Sequence, residues 1–116
     1  MKKLFIFFIS FMIFSASLPV YGSEPVEFVD YGWDLVRFHD RVAGFIIEHG
    51  YQREVEYVFV EHIPGLVGLE KGDLDIYMDL WPNNCKEWWD KARDNGSVAK
   101  LSVNYDGGSQ GWYVPT

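Results

Sequence analysis

Past the first residues, hydrophobic and polar positions change their period several times along the chain. Val26-Glu-Phe-Val-Asp30 is short, apolar and β-branched and ends at the turn signal Tyr31-Gly32, the pattern of a strand. From Trp33 to His49, apolar residues recur at Leu35, Phe38, Val42, Phe45 and Ile46, steps of three and four that put them on one face of a helix. Gly50 is its expected stop. Glu54 to Val60 alternates charge with bulk before turning apolar, which suits a strand partly near a sheet edge. Pro64 opens a short helix carrying Ile63, Leu66, Val67 and Leu69, with Gly72 as its stop. Leu74 to Leu80 reads as a third strand, Asn83 to Asn95 as a third helix and Val98 to Val103 as a fourth strand. A polar loop from Asn104 to Gln110 follows, and Gly111 to Pro115 begins a fifth strand. Strands separated by helices predict βαβ units with right-handed crossovers, so the fold class is α/β with a mostly parallel sheet and flanking helices.

The N-terminus alters which residues enter that fold. Lys2 and Lys3 precede an apolar run from Leu4 to Phe14 and a weakening stretch to Gly22, where Val20 and Gly22 suit a signal peptidase site. Residues 1–22 are therefore expected to be a signal peptide, which makes the protein exported, to the periplasmic space or the extracytoplasmic side of a membrane. Removing them takes two lysines from a chain whose formal charge is already -7, and so acidic a domain excludes a nucleic-acid-binding surface. A cationic small molecule or a soluble partner fits that charge better. Cys85 is the one cysteine, so an intrachain disulfide is impossible, and its ordinary role is that of a small hydrophobe. Residues 23–116 have room for one sheet and a few helices.

Most of the candidate chemistry fails on spacing. His39, His49 and His62 show no metal-ligand spacing, and neither a phosphate-binding loop nor a dinucleotide glycine fingerprint occurs, so no metal and no cofactor are expected. Gly107-Gly-Ser-Gln-Gly111 matches a nucleophile elbow, but a strand-like run follows Ser109 where a helix is needed, and too few residues remain for an acid and a histidine. No enzymatic activity is expected. Asp73, Asp75 and Asp79 fall on one face of the third strand by alternation, with Asp79 nearest its C-terminal end. Trp88 and Trp89 lie on the third helix, where at least one should face the sheet. Trp33 and Trp81 differ from these because they stand just past the C-terminal ends of strands, the edge where open parallel sheets take ligands. Flat rings there are candidates for an aromatic cage, which attracts a quaternary ammonium group through the negative ring faces.

The same residues carry a family resemblance. Asp34 to Tyr51, Pro64-Gly-Leu-Val-Gly-Leu-Glu-Lys-Gly-Asp-Leu-Asp75 and Gln110-Gly-Trp-Tyr-Val-Pro-Thr116 resemble, in order and spacing, the substrate-binding proteins of glycine betaine and choline ABC importers. The resemblance implies an exported two-lobed receptor of the periplasmic-binding-protein type II class that hands a quaternary ammonium osmoprotectant to a membrane permease. It implies that Trp81, in Leu-Trp-Pro, is one wall of the cage and that Trp33, in Gly-Trp-Asp, is similar to the cage tryptophan of choline-type members. Those members carry an acidic residue two places after that tryptophan, whereas Asp34 is adjacent to Trp33 here. Asp34 and Asp79 are candidate charge partners, and Trp112 and Tyr113, near the expected hinge, are further candidate contacts. Residues 23–116 would then form part of the first lobe, the second lobe being absent. An exported sensory or interaction module of the same fold, without a transport role, is the alternative.

Overall fold

The computed structural model describes residues 24–109 and 111–115, so the expected signal peptide lies outside the described residues. Strand β1 (Val26–Asp30) leads through Tyr31-Gly32-Trp33 into helix α1 (Asp34–Tyr51), which returns the chain to strand β2 (Val55–Phe59). The two strands pair in parallel, Val26 opposite Val55 and Asp30 opposite Phe59, and so complete a βαβ unit. Helix α2 (His62–Lys71), a short 3-10 turn (Pro82–Cys85) and helix α3 (Lys86–Asp94) follow. The fold is α/β, with a two-stranded parallel sheet and flanking helices. Phe28, Val29, Val36 and Leu66 form the centre of its core.

Helix α1 does not present the face that its apolar stripe suggests. A stripe at helical spacing ordinarily faces a core, yet Phe38 is 62% and Phe45 60% exposed, and Leu35, Val42 and Ile46 are also exposed. The residues turned towards the sheet are Val36, Asp40 and Gly44. Gly44 sets this rotation, because a Cβ there would lie 2.0 Å from the Tyr57 hydroxyl of β2, and only a bare backbone admits that ring. Arg41 lies over the same ring, its guanidinium carbon 3.5 Å from the centroid, and holds the helix in place. The helix also runs past the expected stop at Gly50, ending where Gln52 takes the left-handed conformation.

Helix α2 begins at His62, two residues before Pro64. Proline is tolerated there because the first-turn N–H groups have no intrahelical partner. Its packing relies on small residues, since a Cβ on Gly65 would lie 2.8 Å from Cγ1 of Val29, a side chain with no exposure and no freedom to move aside. Gly65→Ala should therefore destabilise the fold by ~1–3 kcal/mol through overpacking. A urea midpoint unchanged from that of the parent would show that α2 can move away from β1.

The third strand is reduced to a single parallel bridge between Phe28 and Ile76. Two local events curtail it. The Asp75 carboxylate accepts the Glu27 N–H at 2.9 Å, and the chain then turns at Met78-Asp79, where Asp79 has φ 54. That turn also breaks the expected one-face alignment of the aspartates: Asp73 and Asp75 are exposed, whereas Asp79 is buried. Val98 to Val103 and Gly111 to Pro115 do not form the expected fourth and fifth strands. A strand exists only through its pairing, and no described residue pairs with either segment. Val98 is instead tied to the end of α3, its N–H reaching the Ala92 carbonyl at 3.2 Å. In α3 the buried residue is Ala92, and Trp88 and Trp89 are half-buried. The Trp88 indole N–H donates to Glu70 of α2 at 3.1 Å, so this ring is oriented by a carboxylate and not by the sheet.

Candidate functional site

Asp30, the last residue of β1, organises the edge of the sheet. Its carboxylate accepts the Gly32 N–H at 2.9 Å and the Arg37 Nε–H at 3.2 Å, with Arg41 at 3.8 Å. Gly32 can close this turn because its φ of 91 belongs to the left-handed region that glycine enters freely. Tyr31 and Trp33 are thereby held on either side of the turn. Trp33 is the N-cap residue of α1, its carbonyl accepting the Arg37 N–H at 3.0 Å, and its side chain is 63% exposed.

Trp81 occupies the corresponding place before the 3-10 turn. Pro82 fixes the start of that turn, and the Trp81 carbonyl accepts the Asn84 N–H at 3.0 Å. Trp33 thus stands where β1 leaves the sheet for a helix, as the sequence suggests, whereas Trp81 comes after the Met78-Asp79 turn and not at the end of a strand.

Around them the structure assembles rings that the sequence does not single out. Tyr31 is the centre of one group, its ring 5.8 Å from Trp33, 5.8 Å from His62 and 5.4 Å from Tyr77. His62 Nδ1 and the Tyr77 hydroxyl are 2.6 Å apart and share a hydrogen bond. Tyr105 is the centre of a second group, 6.1 Å from Trp81 and stacked on His39 at 5.9 Å. The glycine-rich loop lies against Trp81, where a Cβ on Gly108 would come within 2.8 Å of the indole edge. That packing gives Gly107-Gly-Ser a structural role as the loop seated on Trp81.

Asp79 is bound to the second group, and its charge acts on the tyrosines of the first. It is 8% exposed, it accepts a hydrogen bond from the Tyr105 hydroxyl, and no cationic side chain among the described residues pairs with it. Burial raises the pKa values of Tyr31, Tyr77 and Tyr105, and the negative charge of Asp79 raises each further. Its left-handed backbone is uncommon for a residue with a Cβ, and strain of that kind collects at functional positions. A buried carboxylate, unpaired by any described cation and hydrogen-bonded to a tyrosine that packs against Trp81, is chemically complementary to a cation that carries its own apolar surface.

The remaining candidates sit apart from this cluster. Asp34 is exposed in the first turn of α1, where an acidic side chain favours the helix N-terminus. Trp112 is fully exposed at 102% and Tyr113 is 81% exposed, and neither ring contacts Trp33 or Trp81 among the described residues. Cys85 is half-buried with its thiol pKa raised by burial, as suits an inert side chain. Two hollows lie away from the aromatic edge. One of about 460 Å³ has an acidic lining that includes Glu24, Glu27 and Asp73, and one of about 530 Å³ lies between α2 and α3.

Asp40 is the second buried acid near this edge. It is 0% exposed, and its carboxyl pKa is pushed up to about 7, chiefly by burial, then by the charge of Asp30, with Arg41 opposing. Unfolded aspartate titrates near 4, so protonated Asp40 stabilises the fold fully below about pH 4, and this contribution is lost as the pH rises through about 7. Stability measured by urea should fall by about 2 kcal/mol between pH 5 and pH 8 on account of this residue. Asp40→Asn should flatten that dependence, and an equal slope in both proteins would contradict the assignment.

A comparison with protein-family models matches residues 24–116 to the substrate binding domain of ABC-type glycine betaine transport systems. No curated protein and no solved structure matches the chain.

Proposed function

Because the chain belongs to the family of substrate-binding domains of ABC-type glycine betaine transport systems, we propose that its aromatic edge binds the quaternary ammonium group of an osmoprotectant such as glycine betaine or choline. Its α/β core is of the periplasmic-binding-protein type II fold, and members of the family bind a small solute for delivery to an ABC permease. The observation that carries the proposal is Asp79, a buried carboxylate whose hydrogen-bond donor, Tyr105, packs against Trp81. A trimethylammonium group donates no N–H hydrogen bond, so its recognition rests on ring faces, a counter-charge and shape. Trp81 and Tyr105 supply one wall, Trp33 and Tyr31 another, and Asp79 the counter-charge. Asp34, Trp112 and Tyr113 are positions from which further contacts could be made as the receptor closes.

Residues 23–116 then act as part of the first lobe of an exported, non-enzymatic receptor, with residues 1–22 as its signal peptide. The exposed apolar stripe of α1 supports this reading, since Phe38 and Phe45 would be covered by further receptor structure. The opposing lobe would complete the cage. Binding by residues 23–116 alone is accordingly expected to be weak, in the millimolar range, worth roughly 4 kcal/mol. Calorimetry or NMR titration with glycine betaine and choline tests this, and micromolar affinity would overturn the division of the cage between two lobes.

A further inference from the structure

Asp40 is the buried charge that the binding role leaves unused. Neither of its carboxylate oxygens meets a hydrogen-bond partner among the described residues, and Nδ1 of the adjacent His39 also lacks one. His39 is itself stacked on Tyr105, the donor to Asp79, so Asp40 is buried in the helical turn that also carries a ring of this cluster. We propose that Asp40 is a proton-gated counter-charge of the cation site: a quaternary ammonium group seated beside Asp79 draws Asp40 into its ionised form, and the carboxyl proton leaves as the ligand binds. The inference rests on reading this edge as a cation site. In that step the carboxyl O–H bond breaks, its electron pair stays on the carboxylate and the proton passes to water.

The groups around Asp40 set the direction of the effect. From β1, Asp30 opposes its ionisation, although Arg37 and Arg41 pair with Asp30. From its own helix, Arg41 favours ionisation, and that side chain is held over Tyr57 of β2. From the turn after Ile76, Asp79 opposes ionisation, and Tyr31 experiences the charges of both Asp79 and Asp40. A ligand cation offsets the field of Asp79 and adds its own, so it must lower the pKa of Asp40. With the unliganded value near 7, the group is poised where such a change releases the most proton. Affinity should then rise with pH up to about 7 and level off above it, tenfold in all for each pKa unit by which the ligand lowers Asp40. Asp40 itself is 0% exposed and touches no ligand, so it is a positioning residue that acts through charge.

The test is a carboxyl NMR titration of the whole chain, alone and with saturating tetramethylammonium chloride. The Asp40 midpoint should stand near 7, fall by roughly half a unit or more in Asp79→Asn, and fall again in the parent protein when tetramethylammonium is added. Calorimetry in buffers of different ionisation enthalpy should show net proton release near neutral pH, lost in Asp40→Asn. A midpoint in the ordinary carboxylate range, or one that Asp79→Asn does not move, would overturn the proposal without any ligand. If tetramethylammonium leaves the Trp81 and Tyr105 ring signals unshifted, the binding reading itself fails. Ring shifts with a stationary Asp40 midpoint would defeat the gating alone.

Discussion

Replacing Trp81 with alanine is expected to weaken binding of a quaternary ammonium ligand about thirtyfold, whereas Trp81→Phe should retain most of the affinity. A desolvated cation–π contact contributes up to ~2 kcal/mol, and about 1.4 kcal/mol corresponds to a factor of ten. The ring is also the surface on which the loop is seated, since a Cβ on Gly108 would lie 2.8 Å from it and the Tyr105 ring is 6.1 Å away. Trp81→Ala therefore removes one wall and loosens the donor to Asp79. The fold should survive, because Trp81 lies after the last strand pairing and outside the buried core. Affinity by NMR or calorimetry together with the urea midpoint separates the two effects. Undiminished affinity in a folded Trp81→Ala protein would remove this ring from the site.

The largest effect on stability is expected at Phe28. This side chain is 0% exposed, lies 5.6 Å from the Tyr57 ring, and belongs to the residue that pairs both with β2 and with Ile76. Truncation to alanine leaves a cavity where the three chain segments meet, at a cost of ~3–5 kcal/mol. Small domains have about 5–15 kcal/mol in total, so Phe28→Ala should be largely or wholly unfolded at moderate urea concentrations. Phe28→Leu, which keeps most of the volume, should lose much less. Circular dichroism against urea decides the matter, and a loss below about 1 kcal/mol would mean that the core lies elsewhere.

Sequence and structure agree most closely where local pattern and tertiary contact coincide. β1, β2 and the two following helices stand within a few residues of their expected bounds, because strand composition, helical spacing and stop residues point the same way there. The rotation of α1 was not legible in the same way. Its apolar spacing marks a helix, but the face that meets the sheet is chosen by Gly44 against Tyr57, a fit between residues far apart in sequence. The third strand fails because Asp75 uses its side chain on the Glu27 N–H and Asp79 turns the chain, neither of which alternation reveals.

The candidate site divides along the same line. The sequence places Trp33 at the end of β1, where the structure also has it, whereas it singles out Trp81 and Asp79 from a third strand that the structure reduces to the Ile76 bridge. Tyr31 and Tyr77 carried a signal that could have been used, one beside Trp33 across Gly32 and the other two residues before Asp79. Tyr105 had none, being brought to Asp79 from 26 residues further along the chain. Asp30 and Asp40 gave only the bland pattern of charged residues at a strand end and on a helix, and their burial emerges only from the packing of α1.

Recognition of positive charge is the property expected of this aromatic edge. Its most direct measurement is an NMR titration of the chain with choline and with the uncharged carbon isostere of choline, in which a tert-butyl group replaces the trimethylammonium. The Trp81 indole and the Tyr105 and Tyr31 rings should shift saturably with choline and scarcely at all with the isostere. Equal responses to the two ligands, or none to either, would contradict the cation site.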